Sequence, residues 1–347
     1  MGRRIWLLSA YRADSHGAWA DWLVGSHPEA DWRRLELPGR HFRWRIRGNP
    51  LSWLDALPAE VPELILATSM VDLATLKGLH PRLAGVQTCY YFHENQFAYP
   101  VSARQVDSVD PQMVQLYGAL AADRLLFNSV FNRDSFLAGV RALLDHLPDR
   151  VPGGIAARLA EKSAVCPVPI VPVTPRGGRD ERLVVWNHRW EYDKDPECFA
   201  EAVIEVARRG IDFRLALLGP RPAAAPPALA RIRERLGGRV VADGCLAAAD
   251  YRQWLSRAGI VVSTARHEFQ GLAVLEAASG GARPLVPDAL CYAEQYPAAY
   301  RYSAGDAGAL ADALAHWLEG GLPAAVDVSS WYDPSLLAVW RRLVSGN

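Results

Sequence analysis

Short apolar runs alternate with helical patterns in both halves of this chain, and this alternation constrains the fold more than any other feature. The first half has predicted strands over 5–10, 63–69, 86–92 and 124–127. The second half has them over 183–186, 213–218, 240–241, 260–264 and 283–286. Strands joined through helices lie parallel in one sheet and bind ligands at its carboxyl edge. The sequence therefore predicts an α/β protein with two Rossmann-like, doubly wound domains.

A proline-rich and then glycine-rich segment, 166–179, separates the two halves, because such a composition interrupts helices and strands. It predicts an N-terminal domain over 1–172 and a C-terminal domain over 173–325. The remaining tail, 326–347, includes an amphipathic helix that could cross back to the N-terminal domain.

Composition limits the partners of the chain. Its 347 residues carry a formal net charge of +0 and are 50% hydrophobic, as is typical of globular proteins. No apolar run is long enough to span a bilayer, so no membrane partner is expected. The five cysteines are scattered and lack metal-ligand spacing, which indicates reduced thiols in the cytoplasm and no zinc site.

Two glutamates flank a predicted strand–loop–helix junction in the second half. Glu268 lies in the loop after strand 260–264, and Glu276 lies in the helix predicted over 272–279. The helix N-terminus near Gly271 and Leu272 offers N–H groups and a positive dipole end, which suit a diphosphate. Carboxylates suit sugar hydroxyls instead, so the stretch predicts a nucleotide-sugar site. The alternative is two glutamates that simply face solvent.

The loop after strand 183–186 supplies the cations that this junction lacks. It contains Arg189 and Lys194, and lysine occurs at only three positions in the chain. Both cations suit a diphosphate. Asp193 and Asp195 form a D-x-D pattern that holds a divalent metal in some glycosyltransferases. Because proline follows at once, a helix start is the preferred interpretation, and no metal is predicted.

Polar residues also follow two predicted strands of the first half. His16 and Gly17 lie in the first strand-to-helix loop, where Asp14 or Ser15 could cap the helix. A denser cluster follows strand 86–92 and consists of His93, Glu94, Asn95 and Gln96. Its place at the carboxyl edge favours a functional site over a chance polar loop.

Arginines alternate with apolar residues over 40–47. The pattern predicts a strand with an apolar face and an arginine face, the latter formed by Arg43, Arg45 and Arg47. No acidic residue balances them, so the row suits a phosphate backbone such as RNA, and a merely solvated strand face is the equally open alternative.

Four motifs resemble one family. They are Y-F-H-E-N-Q-F-A-Y-P over 91–100, F-N-S-V-F-N-R-D-S-F over 127–136, N-H-R-W-E-Y-D-K over 187–194 and H-E-F-Q-G over 267–271. Together with W-R-I-R-G over 44–48, they resemble the tRNA-queuosine α-mannosyltransferases, which are retaining GT-B glycosyltransferases. The similarity covers most of the chain. It departs at Gln270, where an aromatic or small residue is expected.

The resemblance implies transfer of mannose from GDP-mannose to queuosine in a tRNA anticodon, with tRNA-Asp as the expected acceptor. It also implies two domains that face each other across a cleft and a reaction without a cofactor or metal. The implied catalytic residues are His93, Arg189, Lys194 and Glu268. The implied donor-binding residues are Asn187, Arg189, Lys194, Gln270, Gly271, Leu272 and Glu276. The implied acceptor-binding residues are His16, Gly17, Arg43, Arg45, Arg47, Glu94, Asn95 and Gln96.

Three alternatives remain open at this point. The chain could be a GT-B hexosyltransferase with another donor and a lipid or small-molecule acceptor. It could be a non-catalytic nucleotide- or RNA-binding protein, or a nucleotide-sugar epimerase on the same fold.

Overall fold

The computed structural model describes residues 2–99, 108–175, 178–222, 224 and 226–346. The end of the 91–100 motif and part of the 166–179 segment lie outside these ranges. The chain forms two compact units, the first from Met1–Pro169 with Pro334–Asn347 and the second from Ile170–Asp333. None of the helices in the described ranges combines the length and apolarity that crossing a bilayer requires.

The first unit contains a six-stranded parallel sheet in the order β2-β1-β3-β4-β5-β6. Its strands are β1 (Arg4–Arg12), β2 (Asp31–Pro38), β3 (Leu64–Thr68), β4 (Gln87–Phe92), β5 (Arg124–Phe127) and β6 (Ser163–Val165). Its helices are α1 (Asp14–Ser26), α2 (Phe42–Ser52), α3 (Leu73–Leu79), α4 (Asp110–Ala121), α5 (Val130–His146) and α6 (Ile155–Glu161).

The central strands of this sheet are buried on both faces, which is why they are nearly continuous apolar runs. All five residues of β3 are buried. Phe92 at the end of β4 stacks on Phe127 at the end of β5, with ring centroids 4.4 Å apart. Burying one such ring stabilises the fold by about 1.5–3 kcal/mol. Ser129 caps α5 by accepting a hydrogen bond from the Asn132 N–H, as the sequence indicated.

Two local predictions for this unit are wrong. The arginine-rich segment 40–47 is not a strand, because Phe42 begins helix α2. Phe42 and Ile46 are four residues apart, so they share one face of a helix as well as one face of a strand. At the start of α1, neither Asp14 nor Ser15 is the cap, since the helix already includes them and follows Ala13.

The second unit contains another six-stranded parallel sheet in the order β12-β11-β10-β7-β8-β9. Its strands are β7 (Asp180–Trp186), β8 (Arg214–Leu218), β9 (Val240–Gly244), β10 (Ala258–Val262), β11 (Arg283–Pro287) and β12 (Arg301–Tyr302). Its helices are α7 (Pro196–Arg208), α8 (Pro227–Leu236), α9 (Ala248–Arg257), α10 (Leu272–Ser279), α11 (Tyr292–Gln295) and α12 (Ala307–His316). The two sheets confirm the predicted fold class.

The last helix, α13 (Pro334–Ser345), belongs to the first unit. Trp340 is fully buried against Trp19 and Tyr91, and its indole N–H donates to the Pro167 carbonyl at 3.0 Å. The Arg3 guanidinium donates to the Leu343 carbonyl at 2.9 Å near the end of the helix. The amphipathic pattern of the tail therefore reflects an aromatic contact with the first unit.

Candidate active site

Two loops at the carboxyl edge of the second sheet are hydrogen-bonded to each other. They follow the neighbouring strands β7 and β10. The Thr264 hydroxyl lies 2.8 Å from the carbonyl oxygens of both Lys194 and Asp195. The Arg266 N–H donates to the Asp193 carbonyl at 2.9 Å. These hydrogen bonds bring Lys194 next to Glu268, which lies 74 positions further along the chain.

Lys194 is the centre of a buried charge network. Lys194 is only 8% exposed to solvent. Its Nζ donates to the His267 carbonyl at 2.7 Å and lies 3.2 Å from both Glu268 Oε2 and Asp193 Oδ2. Burial lowers the pKa of Lys194, but the two carboxylates outweigh it, so the net pKa is raised. Lys194 is therefore a fixed cation at neutral pH.

Arg189 is the second cation of this loop, and its side chain is half exposed. Its guanidinium lies 3.0 Å from Glu191 Oε2 and 3.5 Å from Asp193 Oδ2. The buried Asp193 carboxylate thus contacts both Arg189 and Lys194 and holds the two cations close together.

Glu268 is ionised despite being largely buried. Burial raises its pKa, but the charge of Lys194, followed by His188 and the Gly271 N–H, lowers it to about 2. A carboxyl group with this pKa cannot donate a proton at neutral pH. Glu268 can therefore accept hydrogen bonds from sugar hydroxyls but cannot serve as a general acid.

Helix α10 begins beside this network. Gly271 precedes it with a φ of +67°, in the left-handed region that favours glycine. A Cβ at Gly271 would lie 2.8 Å from the Tyr292 ring, so a larger residue would also clash. The helix starts at Leu272 with no side-chain cap and no acid in its first turn. Its N-terminus is therefore suited to an anion.

Glu276, in the second turn of α10, lies at the end of a hydrogen-bonded chain. The Tyr251 hydroxyl donates to Glu276 Oε2 at 3.1 Å and accepts from Asn187 Nδ2 at 3.0 Å. Burial raises the pKa of Glu276, while the Tyr251 hydrogen bond lowers it, and the net pKa is raised. Asn187 also donates to the Ala273 carbonyl at 2.8 Å. These contacts fix the position of Glu276 relative to the start of the helix.

Gln270 is 2% exposed, and its carbonyl accepts a hydrogen bond from Gln295 Nε2 at 2.8 Å. This contact joins the site loop to α11.

The D-x-D pair is used within the protein. Asp195 caps α7 by accepting from the Cys198 N–H, and its Oδ2 lies 2.7 Å from Arg266 Nε. This confirms the helix-start interpretation. Within the described ranges, no group of three or more His, Cys, Asp or Glu side chains is arranged to hold a metal ion.

In the first unit, His16 and His93 stack with ring centroids 4.3 Å apart. Trp19 and Tyr91 contact the His93 ring edge-on at 4.6 and 4.7 Å. Burial and, next, the proximity of His16 lower the pKa of His93 well below its usual value. Its Nε2 is buried without a hydrogen-bond partner in the described part of the chain. His93 is therefore a neutral imidazole with an unused ring nitrogen.

Gly17 lies beside this pair, but its role differs from the prediction. A Cβ at Gly17 would lie 2.8 Å from Arg12 Cζ. The Arg12 guanidinium is held there by Glu36 and Asp21, at 2.6 and 3.0 Å. The missing side chain at Gly17 thus makes room for Arg12 rather than for a ligand.

The side chains of the loop after β4 differ in their burial and contacts. Asn95 is 0% exposed, and its Nδ2 donates to Asn132 Oδ1 and to the Ser135 hydroxyl, both at 2.9 Å. Its Oδ1 accepts from the N–H groups of Phe97 and Ala98. The prediction that Asn95 binds the acceptor is therefore corrected, because its side chain holds the loop together.

The neighbouring Glu94 and Gln96 remain candidates. Glu94 is partly exposed, and its backbone carbonyl accepts from the Ser69 hydroxyl at 2.9 Å. Gln96 Nε2 lies 3.4 Å from Glu94 Oε1.

The three arginines of α2 lie in different surroundings. Arg43 is exposed. Arg45 donates weakly to the Ser52 hydroxyl at 3.4 Å. Arg47 lies 2.8 Å from Asp72 Oδ2, a buried carboxylate, so its charge is already paired within the unit.

Three residues of the second unit were missed from the sequence: Thr264, Tyr251 and Arg266. Tyr251 lies on α9 and has no motif around it. Thr264 and Arg266 directly follow β10, and their position at the carboxyl edge was a signal that could have identified them.

Comparisons with known proteins identify the family of this chain. Residues 4–170 match the family model described as tRNA-queuosine alpha-mannosyltransferase N-terminal, and residues 181–320 match the model of glycosyl transferases group 1. A tRNA-queuosine alpha-mannosyltransferase from Drosophila melanogaster is 33% identical over 319 residues, which are 87% of this chain and 84% of the relative.

Solved structures share the fold. Sucrose-phosphate synthase from Thermosynechococcus elongatus aligns over 100% of both chains with a TM-score of 0.69 and 13% identity. HepE from Anabaena, in complex with UDP, aligns over 100% of this chain and 99% of its own with a TM-score of 0.64 and 12% identity.

The two parallel six-stranded sheets have the GT-B fold, and the match to the glycosyl transferases group 1 model makes the chain a GT-B glycosyltransferase. The enzyme is a hexosyltransferase. Identity across nearly the whole length narrows this further, and the chain belongs to the tRNA-queuosine alpha-mannosyltransferase family.

Proposed function

We propose that this enzyme transfers mannose from GDP-mannose to queuosine in the anticodon of tRNA, with retention of the anomeric configuration and tRNA-Asp as the acceptor. Family membership supports the reaction class and the acceptor. The observation that carries the proposal is the buried contact of Lys194 with Glu268, 3.2 Å apart, beside the N-terminus of α10. We further propose a cytoplasmic enzyme, in keeping with a tRNA acceptor and free cysteines.

The donor binds, in this proposal, at the carboxyl edge of the second sheet. The diphosphate lies at the N-terminus of α10, where the helix dipole and the N–H of Leu272 stabilise its charge. Arg189 and Lys194 add positive charge to the same place. Glu276 accepts hydrogen bonds from the ribose hydroxyls. The Tyr251 hydroxyl holds one oxygen of its carboxylate in place near the start of the helix.

The chemistry requires stabilisation of the leaving diphosphate rather than an acid from the protein. Negative charge develops on the phosphate oxygen as the glycosidic bond breaks, and preformed positive groups lower that barrier most effectively. The leaving phosphate oxygen takes the proton of the acceptor hydroxyl. Glu268, which stays ionised, holds hydroxyls of the sugar. The reaction proposed here uses no cofactor, and the two cations take the part that a metal ion would otherwise play.

The acceptor binds, in this proposal, at the carboxyl edge of the first sheet. Helix α2 is anchored there, since Asn49 Nδ2 donates to the Met70 carbonyl at 3.2 Å. The adjacent Ser69 hydroxyl donates to the Glu94 carbonyl. The arginines of α2 and the loop after β4 thus belong to one continuous edge of this unit. His93 stays a prediction as a contact of the transferred sugar.

A donor panel tests this function. The enzyme is incubated with queuosine-containing tRNA and, separately, with GDP-mannose, GDP-glucose, UDP-glucose or UDP-galactose. The tRNA is then digested, and the masses of its nucleosides are measured by mass spectrometry. Queuosine heavier by one hexose with GDP-mannose is the expected result. A hexose gained only from a UDP-sugar would replace the donor assignment, and no gain with any donor would refute the function.

A further inference from the structure

Helix α2 exposes a tryptophan at the centre of its arginine-rich stretch. Trp44 is 57% exposed, which is unusual for so large an apolar side chain. Arg43 precedes it, Arg45 follows it, and the helix contains no acidic residue. The sequence predicts phosphate contacts for the arginines of this stretch, but Trp44 has no role in the proposed reaction.

The indole of Trp44 rests on the helix itself. A Cβ placed on Gly48 would lie 2.5 Å from Cε2, 2.8 Å from Cδ2 and 2.9 Å from Cζ2 of Trp44. The ring system therefore covers the bare backbone of Gly48, one turn further along the helix. Because one side of the ring is seated there and the residue is still 57% exposed, the opposite side is open to solvent.

The part of the helix that carries this seat is fixed in place. Pro50 cannot donate to the Ile46 carbonyl, and Asn49 Nδ2 compensates by donating to that oxygen at 3.3 Å and to the Arg45 carbonyl at 2.7 Å. Asn49 Oδ1 accepts from the Asp72 N–H at 3.1 Å, and Arg47 pairs with the Asp72 carboxylate. The helix is thus bound to the loop after β3, and the indole has a defined position.

We propose that Trp44 and Gly48 form a stacking platform for one unpaired base of the RNA acceptor. An aromatic ring with one covered and one open face, flanked by arginines, matches single-stranded nucleic acid, which presents bases and phosphates together. Charge complementarity favours RNA over an apolar protein partner, because a protein docking on the indole would also have to bury the neighbouring arginines. This inference rests on the proposed function, since it assumes that the first unit binds RNA.

Equilibrium binding of a fluorescently labelled anticodon stem–loop, measured by anisotropy without donor, tests the platform. Trp44→Ala should weaken binding about 5- to 150-fold, whereas Trp44→Phe should retain most of the affinity. The slope of log affinity against log salt should not change, because stacking releases no counterions. Gly48→Ala should also weaken binding by unseating the indole, although alanine favours the helix and should not lower the melting temperature.

Tyr117→Ala is the matched control, because Tyr117 is an exposed aromatic residue on another helix of the same unit. The RNA affinity of this variant should equal that of the wild type. Wild-type affinity in Trp44→Ala would overturn the platform, as would full affinity in Trp44→Leu, which keeps apolar area but has no ring. A change in oligomeric state on Trp44→Ala, with RNA affinity unchanged, would identify a protein interface instead. The binding assay contains no donor, so its outcome does not depend on sugar transfer. Failure of transfer in the donor panel would refute the proposed function but not the platform.

Discussion

Replacing Lys194 by methionine removes the cation that Glu268 and Asp193 share, while keeping a side chain of similar length. The contribution of this ion pair to the free energy of unfolding can be estimated from the pKa of Glu268, whose side chain is 21% exposed. Its pKa falls from 4.5 to about 2 in the folded protein. Each pKa unit corresponds to about 1.4 kcal/mol, so the ionised carboxylate stabilises the fold by roughly 3 kcal/mol. Breaking a buried ion pair costs about 3–5 kcal/mol, which agrees.

The sign of the pH dependence follows from the direction of the pKa shift. In the wild type, the pKa of Glu268 is lower in the folded protein than in the unfolded chain. The stabilisation is therefore complete above pH 4.5 and is lost as the pH falls towards 2. Without Lys194, burial is expected to raise the pKa of Glu268, and the variant should gain stability as the pH falls below neutral. The difference between wild type and variant should therefore be largest near neutral pH and shrink towards about pH 4.5.

Urea unfolding at these two pH values measures the difference in unfolding free energy. The double variant Lys194→Met/Glu268→Gln is the control, because it removes the isolated carboxylate and should abolish much of the pH dependence. A difference that is equal at both pH values would refute the reasoning, as would one well below 1 kcal/mol at neutral pH. The single variant should also lose sugar transfer while RNA affinity is retained; loss of RNA affinity would place Lys194 on the acceptor side.

Four further substitutions test separate parts of the two units. Glu276→Gln should raise KM for GDP-mannose about 10- to 100-fold, because a charged acceptor of the ribose hydroxyls is lost; donor titration checks this, and a fall in kcat alone would contradict it. Arg43→Ala and Arg45→Ala should each weaken RNA binding and flatten its salt slope by about one unit; an unchanged slope would show that neither contacts phosphate. Asn95→Ala should lower the unfolding free energy of the first unit by about 3 kcal/mol, because a buried hydrogen-bond network is broken; wild-type stability in urea would contradict its structural role.

The buried elements were predictable because their sequences leave little choice. Strand β10 is a continuous apolar run with every residue buried, and Gly271 and Gly280 mark the two ends of α10, which was predicted with its observed bounds. Edge strand β2 was missed because none of its residues is fully buried. An edge strand shows no clean apolar alternation, so its pattern resembles that of a loop.

The error in α2 has a single cause. Phe42 and Ile46 fall on one face under both the strand and the helix period, so they cannot distinguish the two. Trp44 is the discriminating residue, since a strand would bury it with them whereas the helix exposes it. Assigning the tryptophan to an apolar face led to the wrong period.

The site itself was only partly predictable. The sequence predicted Lys194, Glu268 and Glu276 as site residues from their charge and from their positions in the loops and helix that follow two strands. Their partners Tyr251 and Asp193 were not assigned these contacts, because hydrogen bonds between separate βα loops depend on the tertiary fold rather than on local pattern. The contact between Lys194 and Glu268 was also not predicted. From the sequence, Lys194 was assigned to the diphosphate and Glu268 to the hydroxyls of the sugar.

Transfer to two matched tRNAs tests the central claim, that queuosine is the acceptor, most directly. One tRNA carries queuosine in its anticodon, and the other has the same sequence with an unmodified guanosine in that place. Both are incubated with GDP-mannose and digested, and the masses of their nucleosides are measured. The proposed function predicts one added hexose on queuosine alone, with both RNAs bound. A hexose on guanosine, or no hexose on either tRNA, would contradict it.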